Sequence, residues 1–189
     1  DVRHLYRVDW QPALLPKEGV PASGVSVLGG DGMLAALLGA GHVETLDAWL
    51  ASRDADDPIP SRWVVDCTEV TEGDDLAAEV HRATMRALTQ LQQWLGTEGL
   101  SESELIWVTR GAVSVTPDDT LEDLVHAPTW GLLRSARSEN PDRTVRILDL
   151  GPEEPSGELV ARALMLSNEP EAAIRYGKLM VARLGVASP

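Results

Sequence analysis

Four short runs rich in β-branched and aromatic residues recur along the chain, separated by stretches typical of helices. The runs are VSVL at 25–28, RWVVDCT at 62–68, LIWVTRGAVSV at 105–115 and VRILDL at 145–150. Residues of this kind pack well on a pleated surface, so each run predicts a strand. Strands that alternate with helices favour a mostly parallel sheet with helices on both faces. We therefore expect an α/β, truncated Rossmann-like fold.

The rest of the chain predicts helices and four further extended segments. Residues 71–95 carry apolar side chains at helical spacing, and residues 31–38, 121–138 and 156–166 are also predicted helices. HVETL at 42–46 predicts extended structure. LYRVDW at 5–10 alternates apolar and polar residues, which predicts a half-buried strand before a Pro-rich connection. The stretches AAIRYG and KLMVARL predict a closing strand pair around Gly177.

Charge and cysteine content narrow the classes of partner. The 189 residues include 30 acidic and 16 basic side chains, a net charge of -14, which repels phosphate backbones and anionic lipids. We therefore expect neither nucleic acid nor a membrane as partner. No apolar run reaches the roughly 20 residues of a membrane span, and no signal peptide is recognised, which favours a cytoplasmic location. Cys67 is the only cysteine, so we interpret it as a packed apolar residue.

The sequence GVSVLGGDGMLAALLGAG at 24–41 resembles a dinucleotide-binding turn. Gly30-x-Gly32-x-x-Ala35 follows a predicted strand and precedes a predicted helix, and Glu44 and Asp47 lie where a ribose-binding carboxylate is expected. The alternative is that these glycines only permit a tight turn. The short helix, the acidic Asp31 inside the loop and the negative local charge favour this alternative. We interpret Gly30 and Gly32 as a decoy and predict no cofactor-binding residue in this chain.

No familiar catalytic arrangement is present in the sequence. A short-chain reductase needs a Tyr and a Lys four residues later, but neither Tyr6 nor Tyr176 is followed by Lys at that spacing. The histidines lack the spacing of a helical metal pair, and the sequence contains neither a G-x-S-x-G elbow nor a P-loop. We therefore predict no catalytic residue and no metal site.

Several separated motifs together resemble one known family. LYRVDW, LIWVTRGAVSV, APTWGLLRSARSENPDR at 127–143 and VRILDLG at 145–151 are similar, in this order, to the N-terminal structural half of the ketoreductase domain of modular type I polyketide synthases. The segment EAAIRYGKLMVARL at 171–184 resembles the final strand pair of that half. The likeness spans nearly the whole chain.

The resemblance implies a division of labour between two halves. In that family the second half binds NADPH and reduces β-ketoacyl groups carried on acyl carrier protein, while the first half braces it. It implies that residues 1–189 form a single non-catalytic structural subdomain, with NADPH in the other half. The expected partner is the catalytic half, or an inserted enoylreductase, of the same polypeptide, beginning near the end of this chain. Acyl carrier protein would be an indirect partner.

The N-terminal strand and Pro-rich connection at 1–22 are the predicted contact with the partner half. We hypothesise that Tyr6, Val8 and Trp10 lie at the seam, the alternative being a strand that only completes this domain's own sheet. Arg110 and Arg134 are candidates to bind carboxylates of either half, and Trp107 and Trp130 are predicted core residues. The alternative function is a small stand-alone nucleotide-binding protein that uses the loop from Gly29 to Gly32.

Overall fold

One eight-stranded sheet organises the computed structural model, which describes residues 5–18, 24–69 and 75–187. The strands are β1 (Tyr6–Pro12), β2 (Val25–Leu28), β3 (Gly41–Val43), β4 (Arg62–Cys67), β5 (Glu104–Arg110), β6 (Thr144–Leu150), β7 (Glu171–Arg175) and β8 (Lys178–Val186). Their order in the sheet is β1-β8-β7-β6-β5-β4-β2-β3. The six strands from β3 to β7 in this order pair in parallel, and β7, β8 and β1 pair antiparallel.

Helices cover both faces of the sheet, as the sequence predicts. They are α1 (Met33–Leu38), α2 (Leu46–Ser52), α3 (Leu76–Gly96), α4 (Ala127–Glu139) and α5 (Gly157–Ala163). Helices α1 and α5 pack over Val64, Ile106 and Leu148 on one face. Helices α2, α3 and α4 pack over the other face, where Trp63 and Trp107 are fully buried. Burial on both faces explains why the central strands read as continuous apolar runs.

Several helices and strands begin or end at residues other than the predicted ones, for local reasons. Residues 42–46 are extended only to Val43, because the Thr45 hydroxyl accepts a hydrogen bond from the Ala48 amide and starts helix α2. The strand predicted to reach residue 115 ends at Arg110, where Gly111 adopts a φ of 70°. The helix predicted from residue 121 begins only at Ala127, because residues 111–126 form a loop.

The strand pair predicted around Gly177 is confirmed. Tyr176 and Gly177 both have positive φ, at 50° and 69°, and form a two-residue turn between β7 and β8. The predicted core positions Trp107 and Trp130 are buried. Strand β1 is more exposed than predicted, because only its Trp10 end packs against the core.

An ion cluster clamps helix α4 to the amino end of β7. Arg134 binds the buried Glu171 carboxylate with two hydrogen bonds of 2.7 and 2.8 Å, and Arg137 adds a third of 2.8 Å. Burial disfavours the charged carboxylate, but the two arginines outweigh it and hold the pKa of Glu171 below its usual value. Arg134 therefore binds a carboxylate of its own domain.

Replacing Glu171 with Gln should lower the free energy of unfolding by about 1–2 kcal/mol at neutral pH, because charged hydrogen bonds are lost from a buried position. A lowered folded pKa stabilises the protein above the unfolded pKa of about 4.3, and this stabilisation is lost as pH falls through the folded value. Urea unfolding at pH 7 and near pH 3 should show the difference between wild type and E171Q shrinking in acid. Glu139→Gln, exposed at the end of α4, is the control, and an E171Q effect that is equal at both pH values would contradict the assignment.

Candidate functional site

The glycine loop lies at the point where the strand order reverses. Strand β2 leads through α1 to β3 on one side, whereas β4 on its other side leads through α3 to β5. Ligands of open α/β sheets bind outside the carboxyl ends of the strands at such a point. A crevice of about 480 Å³ opens there. We call it the switch-point crevice; its walls are the glycine loop, the end of β4, helix α3 and the start of α4.

Backbone conformation favours glycine at three positions of this loop. Gly29, Gly30 and Gly32 adopt φ values of 70°, 67° and 85°, a region that other residues rarely occupy. A Cβ atom on Gly30 would overlap the carboxylate of Asp66, at the end of β4. In a dinucleotide site, the space over this glycine lets the pyrophosphate approach the backbone. Here the acidic side chain of Asp66 occupies that space.

Charge and helix length at the switch-point crevice are also unlike those of a nucleotide site. Helix α1 is six residues long and has no side-chain cap at its start, so its dipole is weak. Glu44 lines the crevice, whereas Asp47 lies on α2 and accepts a hydrogen bond from Gln93. Arg86 lines the crevice as well, but carboxylates outnumber it. The excess of carboxylates disfavours an anionic phosphate in this crevice.

Residues 111–126 form a loop that covers the carboxyl ends of the strands beside the crevice. Buried charged side chains hold this loop in place. Arg175, at the end of β7, donates hydrogen bonds to Asp149 at 2.6 Å, to Asp119 at 2.8 Å and to the Val113 carbonyl at 2.8 Å. Burial disfavours the charged form of Asp119, but hydrogen bonds from Thr116, Arg175 and the Val115 amide hold its pKa below the usual value. The loop is therefore bound to β7 by an ion pair and a hydrogen bond, and to β6 by a hydrogen bond from the Ala112 amide to Asp149.

Cys67 and the other polar candidates fit structural roles. Burial raises the pKa of the Cys67 thiol to about 12, so the thiol stays protonated at neutral pH. Arg110 donates to the Gly151 carbonyl at 3.1 Å, within its own domain. Among residues 5–18, 24–69 and 75–187, no group of three or more His, Cys, Asp or Glu side chains has a metal-binding arrangement. None of the helices in these ranges is long and apolar enough to cross a membrane.

The second candidate site is a two-stranded arm that extends past the rest of the sheet. Met180 and Val181 of β8 pair with both β7 and β1, whereas residues 182–186 pair with β1 alone. We call residues 6–10 and 182–186 the arm. Val8 pairs with Leu184, and Tyr6 with Val186, so these four side chains share one face. Their exposed fractions are 59% for Tyr6, 52% for Val8, 74% for Leu184 and 61% for Val186.

The three predicted seam residues lie on this same face but differ in what they contact. The ring of Trp10 packs edge-on against Trp130 of α4, with centroids 6.3 Å apart, and joins the core. Tyr6 and Val8 lie farther out and are exposed. A groove of about 270 Å³ between Val8, Leu184 and Arg134 separates the arm from α4. Strand β1 thus completes this domain's own sheet and also presents an apolar face.

Comparison with known proteins places this architecture in a family. The sequence profile of the "Polyketide synthase extender module SpnB, Rossmann fold domain" matches residues 8–184. The chain belongs to this family. As a polyketide synthase Rossmann-fold domain, it is 38% identical over 184 residues to the polyketide synthase GfsB of Streptomyces halstedii, covering 97% of this chain and 3% of that protein.

Further relatives and solved structures give the same result. The domain is 34% identical over 191 residues to the spectinabilin polyketide synthase system protein NorB of Streptomyces orinoci, covering 98% of this chain and 8% of that protein. Its fold matches A-type ketoreductases from a modular polyketide synthase, with a TM-score of 0.72 at 23% identity, covering 97% of this chain and 43% of that chain. An A1-type ketoreductase gives 0.71 at 23% identity, covering 100% and 43%.

These findings confirm the family resemblance and the Rossmann-like fold. This polyketide synthase domain spans only a small part of its curated relatives and less than half of the ketoreductase chains it matches. Sequence reasoning missed the β8 side of the arm, Leu184 and Val186. Their alternate positions in a predicted strand pair were the available signal, but the exposure of that strand end depends on where β7 begins.

Two glycine substitutions test whether the space at Gly30 is filled. Gly177→Ala should cost about 1–2 kcal/mol, because a Cβ atom at that turn strains the left-handed backbone but meets nothing within 4 Å. Gly30→Ala has the same backbone strain and also pushes on the hydrogen-bonded Asp66, so we expect at least about 1 kcal/mol more. Chemical denaturation measures both. Equal costs would show that Asp66 does not occupy the space over Gly30.

Proposed function

We propose that this chain is the non-catalytic structural half of a polyketide synthase ketoreductase. Family membership and the fold shared with ketoreductases support the context. The observation that carries the bracing role is the exposed apolar face of the arm. In this proposal the arm holds the catalytic half of the same polypeptide, or an inserted enoylreductase.

The chemistry of the sequence supports assigning reduction to the other half. The only lysines are Lys17 and Lys178, and neither follows a tyrosine by four residues. Tyr176 lies in the exposed hairpin turn between β7 and β8. NADPH and the proton-donating residues would then belong to the catalytic half, where β-ketoacyl groups on acyl carrier protein are reduced. Acyl carrier protein contacts that half and reaches this chain only indirectly.

One face of the arm is apolar and the other is polar, which favours docking through the apolar face. Tyr6, Val8 and Leu184 lie on the apolar face, whereas Asp9 pairs with Arg183 on the opposite, polar face. Exposed apolar side chains grouped on one face are typical of an interaction surface. The ketoreductase chains of the same fold are more than twice as long as the part this chain covers, which leaves room for a second unit of similar size.

Roles at the seam follow from these positions. Tyr6 and Val8, with Leu184 and Val186 beside them, would pack against the partner half. Trp10 would instead fix the base of the arm to this domain, because its ring already contacts Trp130 of α4. The groove beside Arg134 would take an apolar side chain of the partner. The proposal therefore extends the predicted contact from β1 to both strands of the arm.

Paired threonine substitutions at Val8 and Leu184 test this assignment. Threonine is β-branched and so favours a strand, and it presents less apolar surface than valine or leucine. In the synthase polypeptide that contains both halves, the double variant should lose about 2 kcal/mol of unfolding free energy, because it buries less apolar area at the seam. The half-life of NADPH-dependent ketone reduction at raised temperature should shorten with it.

The same double variant in the 189-residue chain alone shows whether the loss of stability comes from docking or from a weaker strand pair within the arm. Both side chains are exposed in the chain alone, so the same double variant should change its stability by less than about 0.5 kcal/mol. Met33→Gln, on α1 and 68% exposed, is a control that should change neither protein. Equal losses in the two proteins would contradict the docking role.

A further inference from the structure

The free edge of strand β1 is a surface that the bracing function does not use. β1 is the end strand of the sheet and pairs with β8, and no strand of the described residues lies on its other side. Strand β3, at the opposite end of the sheet, has three residues, whereas β1 has seven. A long unpaired edge can pair with another chain unless charges, proline or a bulge prevent it. In β1 proline comes only at Pro12 and the register with β8 is continuous, so the charges of Arg7 and Asp9 decide what can pair there.

Hydrogen bonds at both ends of β1 show which of its residues bond to β8. The Leu5 carbonyl accepts from the Ala187 amide at 2.9 Å, and the Ala13 amide donates to the Leu179 carbonyl at 2.9 Å. In an antiparallel pair, the residues that exchange hydrogen bonds alternate along each strand. The register between these two bonds is continuous, so the odd-numbered residues of β1 bond to β8.

Tyr6, Val8 and Trp10 therefore point their backbone N–H and C=O groups to the free edge. Tyr6 and Val8 are exposed, and Trp10 is half-buried. Pro12 has the same parity but no N–H to donate, so it marks the end of the edge that a second strand can use. The usable edge is therefore the segment from Tyr6 to Trp10, which is the β1 side of the arm.

The sequence of this edge is complementary to itself about Val8. When two copies of β1 pair antiparallel with Val8 opposite Val8, Arg7 of each copy lies opposite Asp9 of the other on the polar face. On the apolar face, Tyr6 of each copy lies opposite Trp10 of the other. A shift of two residues is the smallest that keeps the apolar side chains on one face, and it places Arg7 opposite Arg7 or Asp9 opposite Asp9. Like charges directly opposite each other destabilise a strand pair, so charge selects the symmetric register.

The Arg7 guanidinium is free to make the contact that this register requires. Its side chain is 60% exposed, and its Nε atom lies 2.7 Å from Asp9 of the same chain. The other guanidinium nitrogens carry further N–H donors, which remain for the Asp9 carboxylate of a second copy. A pair of copies thus brings two arginines and two aspartates together with opposite charges as neighbours.

We propose that two copies of this chain pair through the free edges of their β1 strands, about a two-fold axis at Val8. The Val8 pair and the two Tyr6–Trp10 pairs each exchange two backbone hydrogen bonds, and the two sheets become one continuous sheet. So short an edge buries less area than a standard interface, so the dimer is weak, with a dissociation constant on the order of 10–100 µM. This inference does not depend on the bracing role, because it uses the backbone edge of β1, whereas bracing uses the apolar face of the arm.

Sedimentation equilibrium of the 189-residue chain, at concentrations from about 5 µM to about 1 mM, tests the proposal. We expect the average mass to rise with concentration from that of the monomer toward that of a dimer. Val8→Pro removes the central N–H of the free edge but no hydrogen bond to β8, so it should weaken association at least about tenfold. Val8→Thr keeps this N–H and is the control, which should change the dissociation constant by less than about threefold.

Charge reversal at Arg7 tests the register of the two strands. Arg7→Asp places carboxylates opposite each other at both ends of the strand pair, so it should also weaken association at least about tenfold. Arg82→Asp, at an exposed position on α3, changes the net charge by the same amount. It should weaken association by less than about threefold, because only the general repulsion between two acidic proteins increases.

Three results would overturn the proposal. The first is a chain that stays monomeric up to about 1 mM, which would leave the edge to a strand of another domain. The second is a V8P variant that associates as strongly as wild type, and the third is equal weakening by R7D and R82D. Should V8P fail to fold, as judged by circular dichroism, R7D decides: unchanged association in that variant overturns the proposal.

Discussion

The buried guanidinium of Arg175 ties together the carboxyl edge of this domain. It lies at the end of β7, and its hydrogen bonds reach Asp149 on β6 and both Asp119 and the Val113 carbonyl in the 111–126 loop. Asp149 in turn accepts hydrogen bonds from Thr109 at 2.6 Å and from the Ala112 amide at 3.0 Å. Removing one partner from such a buried network leaves an unpaired charge, which costs several kcal/mol. The path of the loop is therefore fixed, and with it the place where α4 begins.

This edge also distinguishes the sheet from the nucleotide-binding pattern that its glycine loop resembles. The loop closes the ends of β5, β6 and β7, while the Asp66 carboxylate fills the space above Gly30. What remains open is an acidic crevice at one end of the strand order and an apolar arm at the other. The two surfaces differ in chemistry.

The sequence alone predicted the fold class because its strongest signals are local. Buried strands such as VRILDL have few alternatives, and the glycines around residue 30 predicted the tight turn that the backbone angles display. The start of α2 was missed because a single threonine cap on a seven-residue helix is a weak signal beside the extended pattern of HVETL. The family resemblance then supplied the context that periodicity alone cannot give.

The candidate sites were harder to predict because they arise from contacts between distant residues. Asp66 reads as an ordinary polar position in RWVVDCT, and only the pairing of β2 with β4 places it against Gly30. In the same way, Tyr6 and Val8 were found from their alternation, but their exposure depends on β7 beginning only at Glu171, so that the last residues of β8 extend past it. Alternation predicts a face, whereas tertiary packing decides whether that face is covered.

The central claim is that this domain acts by packing and holds no pyridine nucleotide of its own. Titrating NADPH into the 189-residue chain by calorimetry tests this claim most directly. The account predicts no saturable binding up to about 1 mM, because the crevice repels the pyrophosphate. Saturable binding with a micromolar dissociation constant, lost in Gly30→Ala, would contradict it.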